Sequence, residues 1–426
     1  MGPINTGVEY MSNTRKALGA VAALAATALT VGAALPATAA GAADKTLSIT
    51  GILPLTGSLA FLYPPMQAGA YLAVDDINAA GGVLGNKVTL SMKDSGDGAN
   101  LAVSSQSATA AIAAGTDVVL GAAASGVTRN IINQITGAGI VEISPSNTAP
   151  DLSTWKDNGF YFRTAPSDTL QGRIAANQIL QDGAQNVAIM YDDNSYGNGL
   201  LAVAQSVLKK AGATVTAVAN TEGETNFGSI VAKVTAGNPD AVLIISYDET
   251  KKSIPALKAA GFSGANIYLV DGNTIDYSKE SFATYLNGAK GTIPGGSITD
   301  AFKARLKAKY AKLNGGKELA DFTYAAESYD AVVLAALAAQ ASGKATGAGI
   351  KSKLTDVSLA GKGKVNVTSY AAGLKALKAG KKINYDGFSG PIEFDKNGDP
   401  TGAFIGIYRY DAKGVNHLVR TVAGNK

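Results

Sequence analysis

Two short turns hold the side chains of this chain best suited to chemistry. Ala122 to Gly126 carries Ser125, and Ser144 to Thr148 carries Ser146 and Thr148, all among small residues. Hydroxyls and the backbone N–H groups beside them are hydrogen-bond donors, and donors converging on one point hold an anion. Bond-breaking chemistry finds little support elsewhere. Cysteine is absent and the single histidine, His417, lies near the carboxyl end. Disulfides, thiolate metal sites and cysteine nucleophiles are therefore excluded, and a Ser-His-Asp triad would have to recruit His417. No G-x-S-x-G elbow, no G-x-G-x-x-G after a strand and no G-x-x-x-x-G-K-[ST] occurs, so the Gly-rich turns are neither hydrolase elbows nor nucleotide-phosphate loops. No cofactor is implied, and the expected class is a binding protein, not an enzyme.

The two turns are positioned by one βαβ unit. Asp117 to Leu120 is a short apolar run with β-branched Val118 and Val119, Val127, Ile131 and Ile135 form a helical stripe, and Ile140 to Ile143 is a second strand. In open α/β sheets ligands bind beyond the carboxyl ends of the strands, which puts both turns on the binding edge. Ser125 reads as the N-cap of a helix beginning near Gly126, whose unpaired N–H groups and positive dipole end favour an anion. A ligand carboxylate is the natural guest. The plainer alternative is that Ser125 is only a cap and Ser146 and Thr148 only turn formers.

With 426 residues, 46% of them hydrophobic and 16% charged, the chain is long enough for two cores. The formal charge of +4 is spread without a basic cluster interleaved with aromatics, which excludes nucleic acid as a partner. Arg15 and Lys16 precede an uncharged run from Ala17 to Leu35, then Pro36 and small residues. That is the three-part pattern of a secretory signal peptide, with cleavage options between Ala39 and Ala43 and Met11 as an alternative start. The competing reading, a membrane anchor, is disfavoured by a run made mostly of Ala, Gly and Thr. A strand at Ile49 to Ile52, a helix opening at Pro64-Pro65 with the stripe Met66, Ala70, Val74 and Ile77, and a strand at Val88 to Met92 precede the βαβ unit. From Val187 to Val270 strands and helices alternate again at regular spacing, which predicts a second doubly wound sheet. Its strand ends, MYDDNSYGNG, IISYDET and LVDGNT, set Tyr196, Tyr247 and Asp271 at a carboxyl edge.

The phrases LTGSLAF, AVDDINAAGG, GNKVTL, ISPSNTAP and TYAAESYDAVVLAAL together resemble the leucine/isoleucine/valine-binding proteins, the amino-acid-type receptors of ABC transporters, over most of the chain. The resemblance implies a type I periplasmic-binding fold: two Rossmann-like lobes joined by a three-strand hinge. The expected boundaries are 1–43 for the signal and upstream residues, 44–165 with 296–385 for the first lobe, and 166–295 with 386–426 for the second. It further implies that Ser125, Gly126, Ser146 and Thr148 hold a ligand carboxylate and that Leu62 and Tyr63 reach over its side chain. Tyr63 stands where a glycine is expected. Tyr196 would cover the ligand, Tyr247 pack on it, and Asp271 receive its ammonium group, with Asn273 and Asp276 as alternatives for that last role. Tyr324 and Glu327 stand at the start of a helix where they could face the cleft, and core or surface roles are preferred for both. The implied function is capture of a free amino acid or small carboxylate outside the cytoplasmic membrane by a monomer, and delivery to transporter membrane subunits. A sensory module of the same fold is the alternative, and a secreted hydrolase a remote one. The lipidated cysteine common in receptors of single-membrane bacteria is missing. The sequence KNGD is expected to turn a closing hairpin.

Overall fold

A computed structural model describes residues 46–425, together with Gly2. The expected signal segment therefore lies outside the described residues. Strand β1 (Ser48–Leu53) leads through α1 (Tyr63–Ala79) to β2 (Thr89–Asp94), and α2 (Leu101–Ala113), β3 (Val118–Gly121), α3 (Ser125–Gly137), β4 (Val141–Ser144) and β5 (Tyr161–Arg163) complete the first sheet. All five strands are parallel, in the order β2-β1-β3-β4-β5. After α4 (Asp168–Gln181) the alternation restarts: β6 (Asn186–Asp192), α5 (Ser195–Lys210), β7 (Thr214–Asn220), α6 (Gly228–Thr235), β8 (Ala241–Ile245), α7 (Thr250–Ala259), β9 (Ile267–Leu269) and β10 (Lys290–Pro294).

The chain then returns to the first sheet with α8 (Asp300–Leu313), α9 (Ala325–Ser342), α10 (Gly347–Ser358), β11 (Lys364–Val367), α11 (Tyr370–Lys378), β12 (Lys382–Gly387) and β13 (Gly390–Pro391), and ends in β14 (Gly402–Tyr410) and β15 (Asn416–Asn425). The second sheet has seven strands, ordered β15-β14-β10-β9-β8-β6-β7, and β11 to β13 form a small third one. Three segments cross between the lobes: 164–167, 295–299 and 392–401. The fold is the two-lobed α/β arrangement expected from the sequence. In each parallel array the strand order reverses once, between β1 and β3 and between β6 and β8. Those reversals leave a crevice at the carboxyl ends, where ligands bind in such folds.

Sequence pattern and packing agree element by element. The α1 stripe of Met66, Ala70, Val74 and Ile77 is buried, and Pro64 and Pro65 start the helix at positions whose N–H groups have no helical partner anyway. Helix α9 is buried along its whole length from Ala325 to Ala339, since α1, α10 and α11 pack against it. Such a helix needs an apolar surface all round, which AAESYDAVVLAALAA supplies apart from Glu327 and Asp330. Asp330 is satisfied by the Tyr385 hydroxyl at 2.6 Å and by the backbone N–H and hydroxyl of Ser389. The KNGD reading needs correction. Residues 395–399 form a tight turn that closes only the single bridge between Phe394 and Pro400, whereas the closing hairpin is β14 with β15, turned at Asp411 to Gly414.

Candidate ligand-binding site

A cavity closed between the lobes is lined by Leu59, Leu62, Ala123, Ser125, Ser146, Thr148, Tyr196, Tyr247, Asp271, Gly272 and Tyr324. The first six of these residues, Leu59 to Thr148, come from the segments after β1, β3 and β4; Tyr196, Tyr247 and Asp271 follow β6, β8 and β9. The structure thus brings Leu62, Ser125, Ser146, Thr148, Tyr196, Tyr247 and Asp271 together. Tyr63 and Gly126 are not on the wall. Tyr63 is the first residue of α1, where its hydroxyl accepts a hydrogen bond from Gln67 Nε2 at 3.2 Å, and Gly126 is the second residue of α3. Of the alternatives to Asp271, Asn273 is spent on the backbone, its side chain bonded to Val270 N–H and the Ile244 carbonyl, and Asp276 lies off the wall.

On the first-lobe side the turns are tied down from within, which leaves the start of α3 as their free donor edge. The Asn147 amide donates to the carbonyls of Ala122 and Ala123, at 3.1 and 2.7 Å, and Ser144 Oγ donates to Ala122 at 2.7 Å. Tyr161 Oη holds the other end of the Asn147 amide at 2.9 Å. These bonds fix both turns through their acceptors and leave the N–H groups at the start of α3 unpaired, as at any helix N-terminus. The expectation that Ser125 caps this helix is overturned. Ser125 is its first residue, Ala124 occupies the cap position, and Ser125 Oγ instead accepts a hydrogen bond from Ala149 N–H at 3.4 Å, tying one turn to the other. Its own O–H proton remains free to donate. Ser146 Oγ donates to the Ala123 carbonyl at 3.1 Å, and the buried Thr148 Oγ1 has the Asp168 carboxyl as its polar neighbour without reaching good hydrogen-bond geometry.

The opposite wall is anionic and aromatic. Asp271, 5% exposed, accepts from Tyr196 Oη and Gln171 Nε2 on one oxygen and from Tyr324 Oη on the other, each at 2.6 Å. Burial raises the Asp271 carboxyl above its usual range, and those three donors pull it back. Asp168, at the start of α4, lies behind it and shares the Gln171 amide at 3.1 Å, with one carboxyl oxygen unpaired. Burial first and then the Asp271 carboxylate push Asp168 well up, whereas Asp271 has three donors that favour its charged form. Tyr196 and Tyr247 stack with ring centroids 5.2 Å apart, and Gly272 is required beside them because any Cβ there would press on Ser246 O and the Tyr247 ring. Burial raises the phenols of Tyr196, Tyr247 and Tyr324 well above the ordinary value, so all three remain protonated.

Tyr324 is the site residue that sequence reasoning placed elsewhere. It precedes α9 with φ at +60°, a left-handed conformation that costs a residue with a Cβ about 1–2 kcal/mol. This turn of the backbone accompanies a ring that crosses from the first lobe to Asp271 of the second. Leu59, Ala123 and Gly272 also line the wall without having been singled out. Glu327, one turn further on, is buried against the second crossing and pushed up to about 8 by desolvation. Among the described residues no group of His, Asp or Glu is placed to hold a metal ion, and no helix is long and apolar enough to cross a membrane.

Two lobes with a polar site at facing strand ends define a ligand-binding protein, and the comparisons agree. Residues 46–414 match the family model described as periplasmic binding protein, and the chain belongs to that family. A Leu/Ile/Val-binding protein of Rhizobium johnstonii is 27% identical over 87% of this chain and 92% of its own. A chemotactic signal transduction system substrate-binding protein of Halobacterium salinarum is 28% identical over 85% of this chain and 87% of its own. The branched-chain amino acid transporter substrate-binding protein of Streptococcus pneumoniae, solved with isoleucine, shares the fold with a TM-score of 0.70 at 23% identity, covering 90% of this chain and all of that one. The family consists of binding proteins, not enzymes.

Proposed function

We propose that this protein is an extracytoplasmic receptor that closes its lobes on a free amino acid, branched-chain or similar, and delivers it to the membrane subunits of an ABC transporter. The observation that carries this reading is the opposition of charges across one cavity. The Ser125 and Thr148 hydroxyls and a helix N-terminus suit a carboxylate on one wall, and the Asp271 carboxylate suits an ammonium on the other. Leu59, Leu62 and the stacked tyrosines offer an apolar surface between them. In this reading Ser125 and Thr148 bind the carboxylate through their hydroxyls, Ser146, whose hydroxyl is spent on Ala123, shapes the wall beside them, and residues 11–43 are a secretory signal removed from a monomeric mature protein. The cavity leaves only about 10 Å³ for the centre of a water-sized sphere, about one water molecule's room, so the ligand enters through opened lobes. The Halobacterium relative, named for chemotactic signalling, supports a second reading in which the same liganded form is read by a sensory partner. A thermal-shift screen of the twenty amino acids and common organic acids tests the ligand class. An aliphatic amino acid at 100 times its Kd stabilises by about 2.7 kcal/mol; a screen in which only acids lacking an amino group respond contradicts it.

A further inference from the structure

Outside the cavity, at the rim of the cleft, one side chain of the second lobe is built into the first. Glu222, in the loop after β7, accepts through Oε1 from the backbone N–H of Gly98 at 2.8 Å and from Ser58 Oγ at 3.2 Å, both in the first lobe. Its Oε2 accepts from Asn194 Nδ2 at 2.9 Å, and Asn194 is itself fixed as the N-cap of α5 through Oδ1. Both sides of this contact are held by further hydrogen bonds. In the first lobe Asp97 ties Ser58 N–H at 3.1 Å and Ala99 N–H at 3.1 Å, and Asp94 ties Thr56 N–H and Oγ1 at 3.1 and 2.6 Å. In the second, Gly223 N–H is held by Glu249 Oε1 at 2.6 Å. Gly98 fits because it lacks a side chain: a methyl group there would overlap the Glu222 carboxylate. A second bridge, Ser195 Oγ to Asp151 at 3.2 Å, is exposed, whereas Glu222 is largely shielded from solvent.

We propose that Glu222 is a closure latch, a positioning residue that engages the Gly98–Ser58 rim only when the lobes meet and so sets ligand affinity and residence time. It acts from outside the ligand wall and rests on the receptor reading only for its ligand arm. A receptor whose binding-competent closed state is populated to a fraction f binds with Kd divided by f, so each loss of closed population appears as weaker binding. Since the chain has no cysteine, one spin label on Gln106→Cys and one on Lys210→Cys report the lobe separation directly. With no ligand added, Glu222→Ala and Gly98→Ala should each move the distance distribution toward longer values relative to wild type. Glu222→Gln, which keeps an acceptor for Gly98 and Ser58, should restore most of it. With the amino acid that gives the largest thermal shift, both disruptive variants should weaken binding about tenfold (about 1.4 kcal/mol), chiefly through faster dissociation. Unchanged separations in both Glu222→Ala and Gly98→Ala would overturn the latch. So would equal behaviour of the Gln and Ala variants. If no amino acid binds wild type, the receptor reading fails while the ligand-free distances still decide the latch.

Discussion

Asp271 has about four lone-pair positions, and protein donors fill three of them. An arriving ammonium takes the fourth or displaces a phenol, and Tyr324 is the one donor that reaches Asp271 from the other lobe. Tyr324→Phe should therefore raise affinity for the amino acid up to about tenfold, since a hydrogen bond of about 1 to 1.5 kcal/mol no longer competes. The same change should lower the melting temperature without ligand, and calorimetry with thermal unfolding checks both. Unchanged affinity would mean that phenol and ammonium use different oxygens. This residue also marks where sequence reading stops. Ser125, Thr148, Tyr196 and Asp271 were legible because each lies within four residues of a strand's carboxyl end, and a strand end fixes a position on the sheet edge. Tyr324 follows a loop and starts a buried helix, so its position at the helix start left a cleft role open without favouring it, and nothing in DFTYAAESYD signals the left-handed backbone that turns its ring across the cleft.

Most elements of the two main sheets were legible as types and order, since period-2 and period-3.6 patterns alternate through both lobes, whereas α4 and the small sheet of β11 to β13 were not. What the pattern did not reveal is how the crossings are joined. Arg163, the last residue of β5, is fully buried and forms an ion pair with Asp399 of the third crossing, with Nε to Oδ1 at 2.7 Å. It also donates to the carbonyl of Ala149 at 2.9 Å and of Asn147 at 3.3 Å, so one guanidinium braces the ligand-facing turn and the hinge together. Residues 236 positions apart make this contact, beyond the reach of any local pattern. Removing one partner of a buried pair leaves an uncompensated charge and costs about 3 to 5 kcal/mol. Arg163→Ala should lose that much in chemical denaturation, and Asp399→Asn less, because its amide oxygen still accepts. A loss below about 1 kcal/mol in Arg163→Ala would show that the crossings do not depend on this pair.

At the scale of the whole molecule, each lobe presents half of a binding surface, and the halves are opposite in character. Hydroxyls and helix N–H groups face a buried carboxylate, with stacked tyrosines and two leucines beside them. A zwitterion joins the two halves through both of its charged ends, whereas a plain acid engages one. Asp271→Asn preserves the shape and removes the charge, leaving the ammonium poorly compensated in a dry cleft. Calorimetry of wild type and Asp271→Asn, against the tightest-binding amino acid and its deaminated analogue, separates these cases. The mutant should lose about 2 to 5 kcal/mol for the amino acid and little for the analogue. Equal affinity of mutant and wild type for the amino acid would contradict the placing of its ammonium group at Asp271.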